Sequence, residues 1–372
     1  MLTRLDLVGF RNLLDASLSF PAEGVAVIGR NAQGKTNLLE AIHYIEMLRS
    51  FRRARDEDLV TFGRDFFRLE ASFREGPGVE DTLAVAFRKS PRTKKVTLES
   101  REVPRLGDAI GAIGTVLFTP DDLRVVREGP ADRRRFLDVV LSLNVPGYLG
   151  ALQIFRNALA QRNAALRGGG DATAVGAWDP VLTRSGGEVS FGRTRWVRGH
   201  ADAFSRLYSQ ISGGLPAEIR YEPSVPDAEG EATPEGSADR YRVALASSRI
   251  HESRRRTTVV GPHRDDLSFS AADREGGRDL REYGSGGEQR TVALALRLLE
   301  AETLRERRGV APILLLDDVF AELDEDRSLR VLRLLDDIAS GQVILTAPKE
   351  SDVQFRKNEL AKWRIENGEI RC

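Results

Sequence analysis

Apolar and polar positions along the first 120 residues follow the spacing of short strands around one helix. Residues 5–10, 16–20, 67–73 and 83–87 are apolar at alternate positions, which is typical of strands with one buried face. Residues 37–48 instead repeat their apolar positions every three or four residues, as a helix does. The pattern predicts a strand-rich lobe with one main helix.

The middle of the chain has helical spacing. Residues 132–167 and 178–211 predict two stretches of helix, and the glycine-rich residues 168–171 between them predict a turn. Apolar heptads are not sustained over many turns, so the pattern indicates a short helical arm rather than a long coiled coil.

The final part of the chain returns to strands alternating with helices. Residues 224–238 are rich in Pro, Gly, Glu and Ala and predict a solvent loop. The other elements predicted here are strands at 219–221, 257–262, 313–316, 343–346 and 363–365, and helices at 240–254, 288–306 and 327–338.

Composition predicts a soluble globular protein of the cytoplasm. Of its 372 residues, 41% are hydrophobic and 30% charged, which excludes a disordered chain. No apolar run approaches the ~20 residues that a membrane span needs. Cys372 is the one cysteine, so an internal disulfide is impossible, as suits a reducing compartment. One cysteine and four histidines make no recognisable zinc site.

The net charge of zero gives no global bias toward nucleic acid, so only local basic clusters argue for it. Each cluster could equally be a solvated face. If they do bind phosphates, binding will be independent of base sequence and sensitive to salt. The clusters are Arg52, Arg53 and Arg55; Lys94 and Lys95; Arg133, Arg134 and Arg135; and Arg254, Arg255 and Arg256.

A phosphate-binding loop follows the short apolar segment 24–28. Its residues fit the pattern G-x-x-x-x-G-K-[ST], and helical spacing begins at Asn37. Backbone amides and the positive end of the helix then converge on one point and attract an anion. Lys35 would reach the β- and γ-phosphates of a nucleotide, and the Thr36 hydroxyl would hold Mg²⁺. The loop, Walker A, is Gly29, Arg30, Asn31, Ala32, Gln33, Gly34, Lys35 and Thr36, and Asn37 directly after it is a further candidate contact for the nucleotide.

A second nucleotide motif, Walker B, is predicted at residues 312–318, where an apolar run ends in Asp317 and Asp318. A buried strand can deliver a carboxylate to Mg²⁺ in this way. Asp317 would orient the metal and its water, and Asp318 would lie beside the attacking water as a possible base. The simpler alternative is a buried strand that ends in a solvated turn.

A glycine-rich segment precedes the helix predicted at 288–306. Ser285 and the backbone amides of Gly286 and Gly287 would lie at its N-terminus, where an anion can bind. Its position between the two Walker motifs favours the signature motif of ABC-type ATPases over a simple helix cap. Residues 321–324 lie where such ATPases have a D-loop, and Thr346 stands where many have a switch histidine.

Two smaller features are ambiguous. Arg11 and Asn12 lie close to the phosphate loop in such heads and could contact nucleotide phosphates, or form only a surface turn. Asp121 or Asp122 stands where related heads place the metal-sensing Q-loop, although helix capping alone would explain both acids.

The whole chain resembles the RecF family of bacterial recombination-mediator ATPases. The resemblance implies an α/β fold, an ABC-type (Rad50/SMC-head-like) P-loop ATPase head split by an inserted helical arm domain. It divides the chain into 1–117 with Walker A, 118–215 as the arm, and 216–372 with the remaining motifs. Residues 286–288 depart from the RecF pattern and are closer to the SMC and Rad50 form of the signature motif. The segments that carry the resemblance are 9–12, 29–37, 118–123, 133–138, 261–266 and 315–324.

The resemblance also implies a function. Such proteins form a head-to-tail homodimer on ATP, in which Ser285 of one subunit would face the γ-phosphate held by Lys35 of the other. The expected activity is weak, DNA-dependent ATP hydrolysis with Mg²⁺. The expected partners are double-stranded DNA, junctions of single- and double-stranded DNA, and RecR with RecO, during recombinational repair.

Three alternatives remain at this stage. A transport ATPase subunit predicts a contiguous head and a switch histidine, and the split head and Thr346 oppose it. Another SMC-like chromosome protein would share the motifs. A structural clamp that binds ATP with little turnover is compatible with Asp318, which replaces the glutamate common in ABC ATPases.

Overall fold

The described residues form two compact units. A computed structural model describes residues 1–76, 78–226, 233–271, 277–320, 323–338, 341–353 and 360–372. The first unit comprises Met1–Asp122 and Glu300–Cys372, and the second comprises Leu123–Leu299. Among the helices in these ranges, none is long and apolar enough to cross a bilayer.

The elements alternate between strands and helices at both ends and are mainly helical in the middle. The strands are β1 Leu2–Val8, β2 Ala16–Ser19, β3 Gly24–Ile28, β4 Phe66–Phe73, β5 Asp81–Arg88, β6 Thr93–Leu98, β7 Arg101–Glu102, β8 Thr115–Phe118, β9 Ala217–Glu222, β10 Asp266–Ala271, β11 Arg278–Asp279, β12 Ile313–Asp317, β13 Val343–Ala347, β14 Ala361–Glu366 and β15 Glu369–Arg371. The helices are α1 Lys35–Met47, α2 Asp56–Leu59, α3 Arg124–Arg127, α4 Pro130–Asn144, α5 Tyr148–Arg167, α6 Ala172–Gly176, α7 Asp179–Ser212, α8 Pro234–Arg255, α9 Gly286–Arg308 and α10 Glu325–Ile338.

One sheet of the first unit is antiparallel, with strand order β2-β1-β4-β5-β6-β7. Its inner face packs on α1, where the rings of Phe10 and Tyr44 each lie 5.4 Å from that of Phe67. The strands predicted in this lobe are confirmed. β6 was not predicted because Lys94 and Lys95 made it look like a basic loop.

The other sheet of the first unit holds the predicted motifs. Its order is β15-β14-β3-β13-β12-β8, and all neighbouring pairs are parallel except β14 and β15. β12 and β13 are buried along their whole length, as their continuous apolar sequences require. Parallel pairing places the carboxyl ends of β3, β12 and β13 at one edge, where ligands of such sheets bind.

The second unit combines helices with the three-stranded antiparallel sheet β11-β10-β9. β9 pairs with β10 and packs on α7, so these two strands belong with the helices. This differs from the predicted division, which ended the arm at 215 and began it at 118. The observed unit starts at Leu123 and ends at Leu299, inside α9.

Two local predictions were wrong. Residues 257–262 are not a strand, because the amide of Thr258 donates to Asn163 Oδ1 at 2.8 Å and a 3-10 turn begins at Pro262. α8 begins at Pro234 instead of residue 240, since Thr233 caps it by accepting from the amide of Gly236 at 3.0 Å. Residues 227–232 of the predicted loop lie outside the described residues.

Candidate nucleotide-binding site

The phosphate loop connects β3 to α1 with a left-handed turn. Gly34 has a φ of +117°, a conformation that L side chains rarely adopt, and Ala32 has a φ of +66°. α1 begins at Lys35, directly after this turn. The backbone therefore has the strand, turn and helix N-terminus that an anion site requires.

The ammonium group of Lys35 lies over its own loop. Nζ donates to the carbonyl oxygens of Gly29 at 2.7 Å and Arg30 at 3.3 Å, and approaches Asn31 Oδ1 at 3.5 Å. Lys35 is only 4% exposed. All three oxygens are neutral, so they hold the ammonium group without cancelling its charge. A positive charge held at this point suits phosphate binding.

The two Walker motifs meet at the carboxyl edge of the sheet. Thr36 Oγ1 donates to Asp317 Oδ1 at 3.0 Å, and Thr346 Oγ1 donates to the same oxygen at 2.8 Å. Burial raises the pKa of the Asp317 carboxyl, while the hydroxyls of Thr346 and Thr36 and the charge of Lys35 oppose that rise. The structure thus brings together the two residues predicted to hold Mg²⁺.

Asp318 turns away from the strand with a φ of +47°. Asp318 lines a cavity of about 290 Å³, together with Phe320, Thr346, Pro348 and Asp352 among others. Among the described residues its Oδ1 is buried with no hydrogen-bond partner. Burial, with the nearby Asp317 and Asp352, raises the pKa of Asp318, and Lys35 opposes that rise. A carboxylate oxygen that is buried without a partner is suited to receive a water molecule.

Arg11 and Asn12 brace α1. Arg11 forms a two-pronged ion pair with the buried Glu40 at 2.8 and 3.0 Å, and Asn12 Oδ1 accepts from Asn37 Nδ2 at 2.7 Å. Arg52 donates to Asn37 Oδ1 at 3.1 Å. These contacts place Arg11, Asn12 and Asn37 beside the loop, and their contact with a nucleotide stays a prediction.

The turn between β14 and β15 holds the loop from the other side. The amide of Asn367 donates to Gln33 Oε1 at 2.6 Å, and the amide of Gly368 donates to the Gln33 carbonyl at 3.0 Å. Both turn residues have positive φ, 49° and 80°. Sequence reasoning missed this contact, although Asn-Gly is the strongest short signal for such a hairpin.

Ser285 lies in the second unit, where it forms a capping box with Glu288. The amide of Ser285 donates to Glu288 Oε2 at 2.7 Å, and Ser285 Oγ accepts from the Glu288 amide at 3.3 Å. The ion pair with Arg278 and the Ser285 amide lower the pKa of Glu288 to about 2, although burial opposes them. The helix-cap role is therefore present, and anion binding by Ser285, Gly286 and Gly287 stays a prediction.

Two other predicted segments are only partly placed. Of the D-loop, Ala321 and Glu322 lie outside the described residues, and Asp324 caps α10 by accepting from the amide of Arg327 at 2.9 Å. Asp122 accepts from the amide of Thr119 at 2.8 Å, which is a capping contact. A Q-loop role for Asp121 or Asp122 stays a prediction.

Arg133 of the basic clusters is internal and was wrongly offered as a phosphate contact, whereas Arg134 and Lys94 are partly buried and form bonds inside the fold. The Arg133 side chain is 1% exposed and pairs with Asp266 at 2.6 Å. Arg134 donates to the Asp265 carbonyl at 2.7 Å. Lys94 donates to the Leu48 carbonyl at 2.5 Å. Arg254 to Arg256, by contrast, are exposed at the end of α8.

Comparison with known sequences gives a consistent result over nearly the whole chain. Residues 1–370 match the family model described as RecF/RecN/SMC N terminal domain. The DNA replication and repair protein RecF of Desulforudis audaxviator is 38% identical over 94% of this chain and 96% of its own. The protein of the same name from Halalkalibacterium halodurans is 36% identical over 99% and 98% of the two chains.

Comparison with solved structures agrees. The recombination mediator protein RecF with ATPrS, from the RecFOR pathway, matches with a TM-score of 0.90 at 29% identity, over 100% of this chain and 97% of that one. An SMC head bound to the C-winged helix domain of ScpA matches with a TM-score of 0.57 at 17% identity, over 100% and 96%. The second match shows the fold alone. Together they confirm the predicted α/β ATPase head of the ABC type.

Proposed function

Because the chain belongs to the RecF family of DNA replication and repair proteins, we propose that it is an ATPase whose nucleotide state controls DNA binding in recombinational repair. One observation carries the proposal. The hydrogen bond between Thr36 and Asp317 joins two motifs 281 residues apart at the carboxyl edge of one sheet. No transport function is proposed, since the matched relatives are named as DNA replication and repair proteins.

The nucleotide would be held by the loop amides, by Lys35 and by the Thr36 hydroxyl. The ammonium group of Lys35 would move from neutral carbonyl oxygens to phosphate oxygens, where charge makes its hydrogen bonds stronger. Thr36 Oγ1 has lone pairs available for a cation while its proton goes to Asp317. When bound, Mg²⁺ supplies positive charge that neutralises the developing charge on the phosphates.

Asp318 would serve as the base for hydrolysis. Its Oδ1, which has no partner in the part of the chain that the structure describes, can accept a hydrogen bond from the attacking water, and its raised pKa favours proton transfer. Ser285 of the partner subunit would complete the site in an ATP-dependent head-to-tail homodimer, where two-fold symmetry makes both sites equivalent. We propose that hydrolysis is slow and stimulated by DNA, and that it ends the bound state.

The partners proposed for this chain are double-stranded DNA, junctions of single- and double-stranded DNA, and RecR acting with RecO. Membership of the RecF family and the RecFOR context of the matched structure support them. These partners place the function in the cytoplasm. Contacts to phosphates would give DNA binding that is independent of base sequence and falls as salt rises.

The test is binding to labelled double-stranded DNA, with and without ATP and Mg²⁺, while the molecular mass is followed by light scattering. ATP should produce a dimer and tighter DNA binding. Lys35→Met should abolish both, because the loop loses the charge that holds the phosphates. Lys362→Met, which removes an exposed lysine paired with Glu350, is the matched control and should behave as the natural protein does.

If DNA binding and mass do not respond to ATP, or if Lys35→Met leaves both responses intact, the loop has another role and the proposal fails. A response of mass without a response of DNA binding would retain the ATP-driven dimer and remove the DNA partner.

A further inference from the structure

Thr346 connects both Walker B acids at the ends of two strands. It is paired with Asp317 in the parallel register of β13 and β12, and it is 5% exposed. Its hydroxyl donates to Asp317 Oδ1 at 2.8 Å and accepts from the backbone amide of Asp318 at 3.2 Å. One side chain thus contacts the carboxylate predicted to orient the metal and the backbone of the predicted base.

These contacts bear on the role of this position, where many ABC ATPases have a histidine that senses the γ-phosphate. A threonine hydroxyl has a single proton. In this structure that proton is donated to Asp317, so Thr346 would have to break the bond to donate to a phosphate. The hydroxyl of Thr346 is therefore already engaged in hydrogen bonds within the protein.

We propose that Thr346 is a positioning residue that fixes the Asp317 carboxylate and the turn at Asp318 in every nucleotide state, rather than a sensor of the γ-phosphate. The inference rests on the proposed function, because it concerns how the same site holds Mg²⁺ and its nucleotide.

The turn at Asp318 shows why such support is needed. A φ of +47° is uncommon for a residue other than glycine, and aspartate is among the side chains that tolerate it best. Removal of the Thr346 hydroxyl would leave the Asp318 amide without its acceptor. It would also leave Asp317 Oδ1 with Thr36 as its remaining hydroxyl donor.

The test compares metal affinity in the ADP complex, which has no γ-phosphate to sense. Mn²⁺ is titrated into protein with ADP and followed by electron paramagnetic resonance. Thr346→Val should weaken Mn²⁺ binding about 10- to 100-fold, as loss of a supporting partner around a metal site does. Thr346→Ser, which restores the hydroxyl, should recover most of the affinity.

Thr115 provides a matched control. It begins β8 in the same sheet, it is 3% exposed, and among the described residues its Oγ1 has no hydrogen-bond partner. Thr115→Val makes the same chemical change away from the site and should leave Mn²⁺ affinity unchanged.

The sensor role predicts a different result, in which Thr346→Val binds Mn²⁺·ADP normally and loses affinity only with an ATP analogue. That result would overturn the inference. If the natural protein does not bind Mn²⁺ with either nucleotide, the proposed function itself fails, which is a separate outcome. If circular dichroism shows that Thr346→Val is unfolded, Thr346→Ala replaces it. The same two results then decide between the positioning role and the sensor role.

Discussion

Each unit of the molecule buries a cluster of charges, and the two clusters differ in whether each charge lies against an opposite charge or against neutral groups. In the first unit, Lys35 contacts neutral oxygens and Asp318 Oδ1 has no partner among the described residues. In the second unit, Arg162 pairs with Asp179 at 2.8 Å and Glu252 at 2.7 Å.

Two more arginines of the second unit follow the same rule. Arg193 pairs with Asp138 at 2.8 Å, and Arg133 pairs with Asp266 at 2.6 Å. A buried charge that is paired with an opposite charge stabilises structure, and one that lies only against neutral groups keeps its charge available for a ligand. Ion pairing, rather than charge or burial, therefore distinguishes the functional cluster of the first unit from the structural clusters of the second.

The largest expected effect is at Asp318, whose Oδ1 has no hydrogen-bond partner among the described residues. Asp318→Asn should retain ATP binding and ATP-driven association but lower the hydrolysis rate about 10²- to 10⁴-fold, the usual contribution of a general base. Phosphate release and light scattering measure the two properties. Asp326→Asn, on the exposed start of α10, is the control. Hydrolysis at the natural rate would show that Asp318 is structural, and the proposed difference between the charged clusters of the two units would not hold.

A large effect of a different kind is expected at a paired charge. Arg162→Met should lower the free energy of unfolding by about 3–5 kcal/mol, because it leaves the buried Glu252 without its cation and leaves Asp179 with Arg249 at 3.5 Å. Arg195 is exposed on α7, and its change to Met should alter stability by less than about 0.5 kcal/mol. Urea unfolding measures both. Equal stability of the two variants would show that the buried pairs do not hold the unit together.

The smallest expected effect is at the capping box of α9, which has partly exposed charges. The folded-state pKa of Glu288, about 2, lies below its ordinary value of 4.5. Its contribution to stability is therefore fully present above pH 4.5 and is lost as pH falls toward 2. Unfolding at pH 6 and pH 3 should show a loss in the natural protein that is about 1 kcal/mol greater than in Glu288→Gln.

Glu282 serves as the control for that measurement, since it is exposed and its ion pair with Arg281 is long, at 3.8 Å. Glu282→Gln should keep the full pH dependence. If Glu288→Gln keeps it too, the charge of Glu288 does not stabilise the cap.

The sequence predicted the parts of the fold that depend on local pattern. Continuous apolar runs identified β12 and β13, and a glycine pattern followed by helical spacing located the loop before α1. A short stretch of sequence is enough to identify these elements, because few sequences are compatible with a buried parallel strand or with a phosphate loop.

What the sequence could not predict depends on pairing across long distances. The sequence does not show whether an arginine such as Arg133 faces solvent or pairs with Asp266, which is 133 residues away. The division of the units was missed for the same reason, since β9 alone does not reveal that its partner is β10. The hydrogen bonds that Asp317 accepts from Thr36 and Thr346, and the bond from the Asp318 amide to Thr346, likewise join residues that are 28 to 281 positions apart.

The order of strands around β3 has a consequence for synthesis of the protein. β3 lies between β13 and β14, and the loop after it is held by Asn367 and Gly368. A ribosome adds roughly 5–20 residues per second, so tens of seconds pass between the emergence of β3 and that of its neighbours. During that interval the edges of β3 are unpaired and exposed to other chains. The phosphate loop is thus among the first segments made and among the last to be completed, and a chain cut short before residue 343 would lack both strands that hold it.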